Sequence, residues 1–509
     1  MSSLIDSIKS SRYSLPFFSA LLLIVSQPPL SIFPAAYLAL VPLLLTLDRD
    51  KPLQNLVAGL TTGVVAYTGL VYWVVVAMNT FGGISMPLAV FTLILLALYL
   101  ALYVGAFAVL VPYLERVFRV PFWAGAPLVW TLLEYARGKL LTGFPWSFLA
   151  HSQHNFLPVV QAVSVAGSYF LSFLIVSVNC LLVFAVRRTR PPLAFTAVTI
   201  CLLGLSLGFG WMQLRARDTG TLTAAIAQGN IPQDVKWTEG SKARTVRAYG
   251  ALTLQGARGA DLVVWPETAM PFVFFGDDSE GTVTLIPGAL GTNLLFGTIS
   301  RDRQGRYYNS AHVYGRNGEY RGTYSKVHLV PFGEFTPLRG YLPFLEAFSV
   351  QIGDFFPGKG HDPILTDAGK LGILICYEGT FPSISNETVR RGADVLVNIT
   401  NDTWYGRSSA PYQHLAFYVF RAVETDRFVL RAAQTGISAV IDPRGRVTER
   451  TGLFEEAVLK GRYSRRTGIT PYVRYGDWFI ALCTVALFAL AGYGWIRRKG
   501  KSQIPSTKS

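Results

Sequence analysis

Long apolar stretches separated by short polar ones run through the first 214 residues, and one more apolar stretch lies near the carboxyl end. A helix needs about 20 mostly apolar residues to cross the hydrocarbon layer and satisfy its own backbone hydrogen bonds there. The pattern predicts seven membrane spans before Arg215 and an eighth near the end. Their expected positions are Leu15–Pro28, Phe33–Leu47, Leu56–Met78, Met86–Leu110, Phe122–Leu133, Leu157–Val186, Pro192–Trp211 and Trp478–Ile496.

Basic residues beside these stretches predict the orientation, because loops that stay in the cytoplasm retain Lys and Arg. With eight spans, both termini are expected in the cytoplasm and residues 215–476 outside it. The first span also resembles a signal peptide, but no small-x-small cleavage site follows it, which favours an uncleaved anchor. The clusters on the predicted cytoplasmic side are Lys9 and Arg12, Arg49 and Lys51, Arg116 and Arg119, Arg187, Arg188 and Arg190, and Arg497, Arg498, Lys499 and Lys501.

The pattern of hydrophobic and polar residues changes after residue 221, where short β-type runs alternate with turn residues and polar helical patterns. Such a mixture predicts an α/β sandwich whose sheet is largely covered by helices. We therefore expect a multi-domain membrane protein with a bundle at 1–214, an external catalytic domain at 215–476, and a final helix with a basic tail at 477–509. The expected strands are Thr221–Ala227, Asp261–Trp265, Asn293–Thr298, Ala311–Tyr314, Leu371–Ile375, Val395–Ile399 and Ile437–Ile441, and the expected helices are Ser241–Gln255, Ile384–Arg391 and Ala410–Ala432.

Composition supports a membrane protein and argues against nucleic acid as a partner. Hydrophobic residues make up 51% of the chain, charged residues only 15%, and the mean hydropathy is +0.35. A soluble domain carries about 25% charged residues. The net charge is +15. However, the basic residues are scattered or lie beside apolar segments instead of forming one basic face, so no nucleic-acid partner is expected.

One cysteine stands apart from the other three. Cys180, Cys201 and Cys483 fall in predicted spans, which leaves Cys376 as the only cysteine of the predicted external domain. One interpretation is a small core residue at a strand end. The other is a nucleophile, because the thiol follows the buried-strand pattern Gly372–Ile375 and would stand at a sharp strand exit beside backbone N–H groups.

Two other predicted strand exits or adjoining loops present ionisable side chains. Glu267 follows an apolar strand, and Lys326 lies in the loop after Tyr324. Together with the cysteine they offer a base, a cation and a nucleophile. His151 and His154 have no carboxylate or cysteine nearby to complete a metal site, so neither a metal nor another cofactor is expected.

Several motifs in register give the chain a family resemblance. Over roughly residues 221–462 it resembles the nitrilase superfamily, whose Glu, Lys and Cys occur in this order. Within that superfamily it is most similar to the apolipoprotein N-acyltransferase family, which implies an αββα sandwich beside an eight-helix bundle. Residues 147–151 depart mildly from the family pattern, which leaves substrate preference open. The matching motifs are Gln228–Gln233, Trp265–Thr268, Lys326–Glu334, Cys376–Glu378 and Asn401–Gly406, with Glu134–Gly138 and Thr142–Trp146 in the membrane part.

The resemblance implies a role for each of these side chains. Cys376 would be the nucleophile, Glu267 the base that takes its proton, and Lys326 the cation that stabilises the oxyanion, together with a backbone N–H near Tyr377. Supporting roles fall to Glu334, which would orient the lysine or an incoming amine, and to Glu378, which would help to hold the pocket.

The resemblance also implies a reaction and its partners. An acyl chain would pass from a phospholipid, expected to be phosphatidylethanolamine, to the thiol, and then to the amine of an S-diacylglyceryl-cysteine apolipoprotein. The enzyme would be a monomer in a bacterial cytoplasmic (inner) membrane, with a periplasmic active site facing the lipid bilayer. Three aromatic loops, at 272–275, 341–348 and 355–357, favour a lipid-facing rim, with ordinary core as the alternative. Residues expected to bind substrate, with core packing or interfacial anchoring as the alternative, are Trp237, Trp404, Arg137, Phe144 and Trp146.

Two other functions stay open at this point. The same three residues would serve a membrane-tethered nitrilase-type amidase that uses water as the acceptor, although one anchor would suffice for such an enzyme. The chain could also be a transporter with an external regulatory domain. Few intramembrane charges and no evident inverted repeat argue against a transport pathway.

Overall fold

The computed structural model describes residues 14–232, 236, 240–274, 280–337, 339–341 and 354–502. The chain divides into two compact units. The first consists of Met1–Tyr72, Phe91–Trp211 and Asp477–Ser509, and the second of Trp73–Val90 and Met212–Gly476. The second unit thus contains the predicted catalytic domain together with a segment taken from the predicted spans.

Apolar helices build the first unit, and each of the eight predicted spans contains helix. In the described part of the chain, four helices are long and apolar enough to cross a membrane, or five if Pro52–Val71 is taken with its bent continuation Trp73–Phe81. The count of eight spans is therefore not established by helix length. The helices are α1 (Ser14–Ser26), a 3-10 turn (Phe33–Tyr37), α2 (Val41–Thr46), α3 (Pro52–Val71), α4 (Met86–Phe118), α5 (Phe122–Arg137), α6 (Leu157–Val160), α7 (Val163–Val186) and α8 (Leu193–Arg215), and the last is α14 (Trp478–Ser502).

Two glycines let α3 and α4 approach closely. Gly59 and Gly63 are one turn apart, and a Cβ on Gly63 would lie 2.6 Å from the Cα of Ala101. A Cβ on Gly59 would lie 2.8 Å from the Cα of Gly105. Membrane helices gain stability from such backbone contacts because lipid offers them no hydrophobic driving force.

Two mixed β-sheets form the centre of the second unit. Its strands are β1 (Leu222–Gln228), β2 (Leu262–Val264), β3 (Val273–Phe274), β4 (Asn293–Arg301), β5 (Tyr307–Tyr314), β6 (Tyr320–Ser325), β7 (Ile364–Thr366), β8 (Gly369–Ile375), β9 (Val395–Thr400), β10 (Val429–Ala433), β11 (Ala439–Ile441), β12 (Val447–Arg450) and β13 (Ala457–Tyr463). One sheet has the order β13-β1-β2-β4-β5-β6 with β3 beside β4, and the other has the order β12-β11-β10-β9-β8-β7. The central strands β1, β2 and β4 are parallel, as are β8, β9 and β10.

Helices cover the outer faces of the two sheets, which pack against each other through an apolar core. Ile226 and Val264 of the first sheet share one buried cluster with Ile373 and Val397 of the second. Neighbouring residues on a strand point to opposite faces of the sheet. The remaining apolar residues of the first sheet therefore point away from the second sheet, and they pack against helices on the outer face. The helices are α9 (Ser241–Gly256) and α10 (Glu280–Leu290) on the first sheet, α11 (Pro382–Arg390) and α12 (Ala410–Thr425) on the second, and the short α13 (Pro471–Tyr475). The predicted α/β sandwich is confirmed.

One predicted helix is wrong in its last seven residues. The pattern predicts helix from Ala410 to Ala432, but α12 ends at Thr425 and β10 follows within four residues. Asp426 has φ 54° and ψ 46°, a left-handed conformation that stops a helix. The apolar residues after it pair with β9 and β11 inside the sheet. A short apolar run does not distinguish a buried strand from a helix by period alone.

Candidate active site

Three strand exits of the second unit bring the predicted base, cation and nucleophile together. Glu267 follows β2, Lys326 follows β6 and Cys376 follows β8. The Nζ of Lys326 lies 3.8 Å from Oε1 of Glu267, and the charges of both act directly on the thiol. All three are buried, with exposed fractions of 6%, 1% and 8%. The structure thus forms one site from three residues that are spread over more than 100 positions of the chain.

The backbone of Cys376 is held in an unusual conformation. Its φ is +51°, in the left-handed region that L-residues rarely adopt, and a 3-10 turn begins there. Its carbonyl oxygen accepts a hydrogen bond of 3.0 Å from the hydroxyl of Tyr418 and lies 3.3 Å from Nε2 of His414. Strain of this kind persists only where surrounding contacts fix it, and it is common at functional sites.

The thiol is protonated at rest. Burial raises the pKa of Cys376 and Glu267 raises it further, whereas Lys326 and a hydrogen bond with Thr400 lower it. Since the thiolate is the competent nucleophile, attack requires a neighbouring group that removes the proton. Glu267 is the carboxylate placed to do so.

Two hydrogen bonds fix the Glu267 carboxylate. The side-chain amide of Asn309 donates to Oε1 at 2.7 Å, and the backbone N–H of Asn401 donates to Oε2 at 2.7 Å. Sequence reasoning missed Asn309, which lies inside β5 and not at a strand exit. A base with both oxygens anchored is preorganised for proton transfer.

Lys326 lies between two carboxylates. Its Nζ is 2.8 Å from Oε2 of Glu334, closer than to Glu267. Glu334 in turn accepts from Asn309 and from the backbone N–H of Val330, both at 2.8 Å. Burial lowers the pKa of Lys326, but Glu334, Cys376 and Glu267 outweigh it and hold the pKa above its ordinary value. The lysine is therefore a fixed ammonium group.

Glu378 connects the loop after β6 to the end of β8. Its Oε1 accepts from the hydroxyl of Tyr324 at 2.9 Å and from the backbone N–H groups of Val327 at 2.7 Å and His328 at 3.2 Å. Its Oε2 accepts from the N–H of Ile375 at 2.8 Å. Burial raises the pKa of Glu378 to about 7, against these hydrogen bonds, which lower it. The carboxyl holds the lysine loop against the cysteine strand.

We expect Glu378→Gln to destabilise the protein by about 1–3 kcal/mol, because the new amide NH₂ would face backbone donors that now find an acceptor. Because the pKa of Glu378 is raised in the folded protein, the native state binds more protons than the unfolded state. The stability that this group contributes is therefore fully present below the unfolded pKa of about 4.3. It is lost as the pH rises through the folded pKa of about 7. Thermal unfolding in detergent should therefore show a larger gap between wild type and variant at pH 5 than at pH 8. The exposed Glu449→Gln is the control and should change little; a gap that widens towards pH 8 would contradict the assignment.

Gly297 in β4 is required for the close approach of the Glu267 loop. A Cβ there would lie 2.6 Å from the carbonyl oxygen of Pro266 and 2.7 Å from the Cα of Glu267. We expect Gly297→Ala to push the base out of position and to lower the catalytic rate by about 100-fold, since small misplacements cost that much. Gly250→Ala, in α9 with open space around it, is the matched control and should keep full activity. An unchanged rate in Gly297→Ala would show that the base tolerates displacement.

A buried ionic network joins Asp402, which lies in the motif Asn401–Gly406, to His414 and to Arg431, for which the sequence offers no signal. Asp402 is 2.6 Å from Nη2 of Arg431 and 2.9 Å from Nδ1 of His414, and all three are fully buried. Although burial raises the pKa of Asp402, the arginine and the histidine hold it down at about 2. In the described part of the chain, no group of three His, Cys, Asp or Glu side chains is arranged to hold a metal ion.

A second buried lysine, Lys236, lies near the predicted base Glu267. Lys236 is fully buried, and its Nζ donates to the hydroxyl of Thr268 at 2.7 Å. Burial lowers the pKa of Lys236 to about 7, while Glu267 acts in the opposite direction. Lys236 lies three residues after the motif Gln228–Gln233, and the sequence offers no other signal for it.

Two of the three predicted substrate-binding residues of the first unit, Arg137 and Trp146, are enclosed by protein. Arg137 is 1% exposed; its Nη1 donates to the carbonyl of Trp146 at 2.7 Å, and its guanidinium lies 4.9 Å from the ring centroid of Phe148. Its Nη2 is 3.9 Å from Oε1 of Glu134. Trp146 is buried as well, whereas Phe144 is half-buried. These contacts account for the charge of Arg137, and its contact with lipid stays a prediction.

The remaining aromatic predictions have mixed outcomes. Trp404 is half-buried and forms a T-shaped ring contact with Phe81, and Trp237 lies outside the described residues. The prediction that Phe272 and Phe274 face lipid is wrong, because both lie in the apolar core under α9 and α10. The two rings are two positions apart at strand β3, so they lie on the same face of the strand, which is turned towards this core. In the other two loops, Tyr341 and Phe356 are exposed, the former by 85%, whereas Phe355 is buried. Residues 342–348 of the loop after Tyr341 lie outside the described residues.

Known proteins match both parts of the chain. The carbon-nitrogen hydrolase family matches residues 223–467, and the apolipoprotein N-acyltransferase N-terminal domain matches residues 19–181. A crystal structure of a carbon-nitrogen hydrolase from Helicobacter pylori aligns with 47% of this chain and 88% of its own, at 18% identity and a TM-score of 0.38.

Relatives match nearly the full length. The apolipoprotein N-acyltransferase of Geobacter metallireducens is 39% identical over 97% of both chains. Those of Azotobacter vinelandii and Pseudomonas putida are 34% and 33% identical, covering 94% of this chain and 94% and 95% of their own. The chain therefore belongs to the apolipoprotein N-acyltransferase family, a family of acyltransferases that carry a carbon–nitrogen hydrolase domain.

Proposed function

We propose that this protein moves an acyl chain from a phospholipid to the N-terminal amine of an S-diacylglyceryl-cysteine apolipoprotein through a thioester on Cys376. The observation that carries the proposal is a buried thiol on a strained strand exit, with a fixed carboxylate and an ammonium group acting directly on it. Membership of the family, over nearly the whole chain, supports the acyl-transfer reaction.

In the first step, Glu267 takes the thiol proton as Sγ attacks the ester carbonyl of the phospholipid. The developing oxyanion is stabilised by Lys326 and by a backbone N–H near Tyr377. When the intermediate collapses, the C–O bond breaks and the proton passes from Glu267 to the departing lysophospholipid alkoxide. One oxyanion donor in such a site is worth about 3–4 kcal/mol of transition-state stabilisation.

In the second step, the deprotonated amine of the lipoprotein attacks the thioester carbonyl. Glu267 accepts the amine proton, and the C–S bond breaks with Lys326 beside the departing thiolate. The proton then returns to Cys376. Glu334 serves to hold the ammonium group in place, since it is the nearer of the two carboxylates, and Glu378 serves to hold the lysine loop on the cysteine strand.

Both substrates are lipids, which fits a catalytic unit carried by a membrane bundle. We place both termini in the cytoplasm and the second unit on the periplasmic face of the inner membrane, with eight spans, because the basic clusters alternate accordingly. Donor and acceptor would then reach the site from the bilayer, and the enclosed site would keep water from the thioester. Headgroup and acyl contacts are assigned to Trp237, Trp404, Phe144, Trp146 and Arg137.

The test uses purified protein, phosphatidylethanolamine with a labelled acyl chain, and a synthetic diacylglyceryl-cysteine peptide. A matched peptide carries an acetylated amine. We expect label on the free-amine peptide and none on the blocked peptide. Release of labelled free fatty acid at the same rate with either peptide would instead identify an amidase-like hydrolase and overturn the proposal.

A further inference from the structure

A cavity in the first unit lies apart from every residue assigned to catalysis. Its volume is about 320 Å³. It is formed by the end of α2, the last turns of α4, the start of α5, the end of α7 and the residues just before α8. Ligand pockets in proteins range upward from about 300 Å³, so the cavity has room for a lipid headgroup. Its lining residues all belong to the first unit.

The cavity carries an excess of positive charge. Three arginines line it, Arg49, Arg187 and Arg190, with Glu115 as the only acidic residue in the lining. Arg49 is engaged with Glu115 through a hydrogen bond of 2.6 Å. Among the described residues, neither Arg187 nor Arg190 forms an ion pair with a carboxylate. The Nη2 of Arg187 makes one long hydrogen bond of 3.4 Å to the carbonyl oxygen of Leu44, and apart from that contact the two guanidinium groups are available to an anion.

The rest of the lining is apolar and aromatic. The rings of Phe122 and Phe184 lie 5.2 Å apart, and Trp123 and Leu44 lie beside them. The guanidinium of Arg187 lies 5.5 Å from the ring centroid of Phe122, at the junction of the charged and apolar walls. A free phosphate would leave the apolar wall uncovered. A ligand with both an anionic group and a hydrocarbon chain matches both walls.

We propose that this cavity binds one anionic phospholipid, with its phosphodiester against Arg187 and Arg190 and the first part of its acyl chains against Phe122, Trp123 and Phe184. Basic pockets between membrane helices are suited to anionic headgroups. A zwitterionic lipid adds a cation to a cavity that is already positive, and it binds less well. The site is separate from the acyl-transfer reaction and does not depend on it.

Native mass spectrometry of the full-length protein in detergent tests the proposal with phosphatidylglycerol and phosphatidylcholine of identical acyl chains. The variant Arg187→Gln/Arg190→Gln should bind phosphatidylglycerol about 10- to 30-fold more weakly than wild type, from the contribution of each basic side chain to anionic-lipid binding. Arg116→Gln/Arg188→Gln removes the same charge from the basic residues of the predicted cytoplasmic side without changing a lining residue, and it should bind as wild type does. Phosphatidylcholine should bind weakly to all three proteins.

Equal losses in both double variants would mean that general surface charge attracts the lipid, and the proposal would fail. Equal binding of both lipids to wild type would also overturn it. If Arg187→Gln/Arg190→Gln does not fold, the proposal is tested instead by the quenching of tryptophan fluorescence by brominated phosphatidylglycerol. Quenching should be smaller in Trp123→Phe than in wild type, and brominated phosphatidylcholine should show no such difference. An equal degree of quenching in the two proteins would place the lipid elsewhere.

Discussion

Replacing Cys376 by serine is expected to lower acyl transfer by about four orders of magnitude or more, as removal of a catalytic nucleophile does in other acyl-transfer enzymes. A hydroxyl is a far weaker acid than a thiol. Glu267 can therefore deprotonate the thiol of Cys376 but not the hydroxyl of a serine in its place. The smaller oxygen still fits the enclosed space and can still bond to Thr400. The fold should therefore persist, with a thermal unfolding midpoint close to that of the wild type.

Cys201→Ser provides the matched control for this substitution. Cys201 is exposed on α8 in the first unit and has no part in the site. Product formation should be measured with labelled donor and lipopeptide acceptor for both variants. Transfer by Cys376→Ser at a rate near that of Cys201→Ser would contradict the role of the thiol.

Lys326→Met should reduce both rate and stability. The rate should fall by about 10²- to 10³-fold or more, because an oxyanion donor is lost. Stability should fall by about 3–5 kcal/mol, because Glu267 and Glu334 would remain buried without their shared cation. Acyl-transfer kinetics and thermal unfolding in detergent measure the two effects separately.

A second substitution separates the catalytic from the structural effect. In Lys326→Met/Glu334→Gln one of the two stranded carboxylates is neutral, so part of the stability should return while activity stays low. Lys460→Met, at an exposed position in the middle of β13, is the matched control and should match wild type in both measurements. Recovery of activity together with stability in the double variant would show that the lysine acts only through the fold.

Glu267 and Cys376 could be predicted because each follows a recognisable apolar strand, and an ionisable side chain or a lone cysteine is conspicuous where a buried run ends. The strand before Lys326 is polar and largely exposed, so this lysine is identified from the motif Lys326–Glu334 and not from an apolar run. Asn309 and Arg431 could not be predicted in either way, since they lie inside strands. Their importance depends on which side chains the two sheets bring within reach, and local sequence does not contain that information.

The errors of the sequence analysis have similar causes. The apolar run after Asp426 is compatible with either a helix or a strand. It forms a strand because its backbone pairs with β9. Phe272 and Phe274 look like a lipid-facing loop because they are aromatic, yet they alternate into the sheet core. The apolar stretches of the first unit were located correctly, but several form helices too short to show by length that they span a bilayer.

The most direct measurement locates the acyl group on the enzyme itself. Wild-type protein is incubated with labelled phosphatidylethanolamine in the absence of acceptor, quenched in acid and digested, and the labelled peptide is identified with and without hydroxylamine. We predict a hydroxylamine-labile label on the peptide that contains Cys376, and its disappearance when the diacylated peptide is added before quenching. A label on any other residue, or transfer to the acceptor with no enzyme-bound label at any time, would contradict the thioester mechanism.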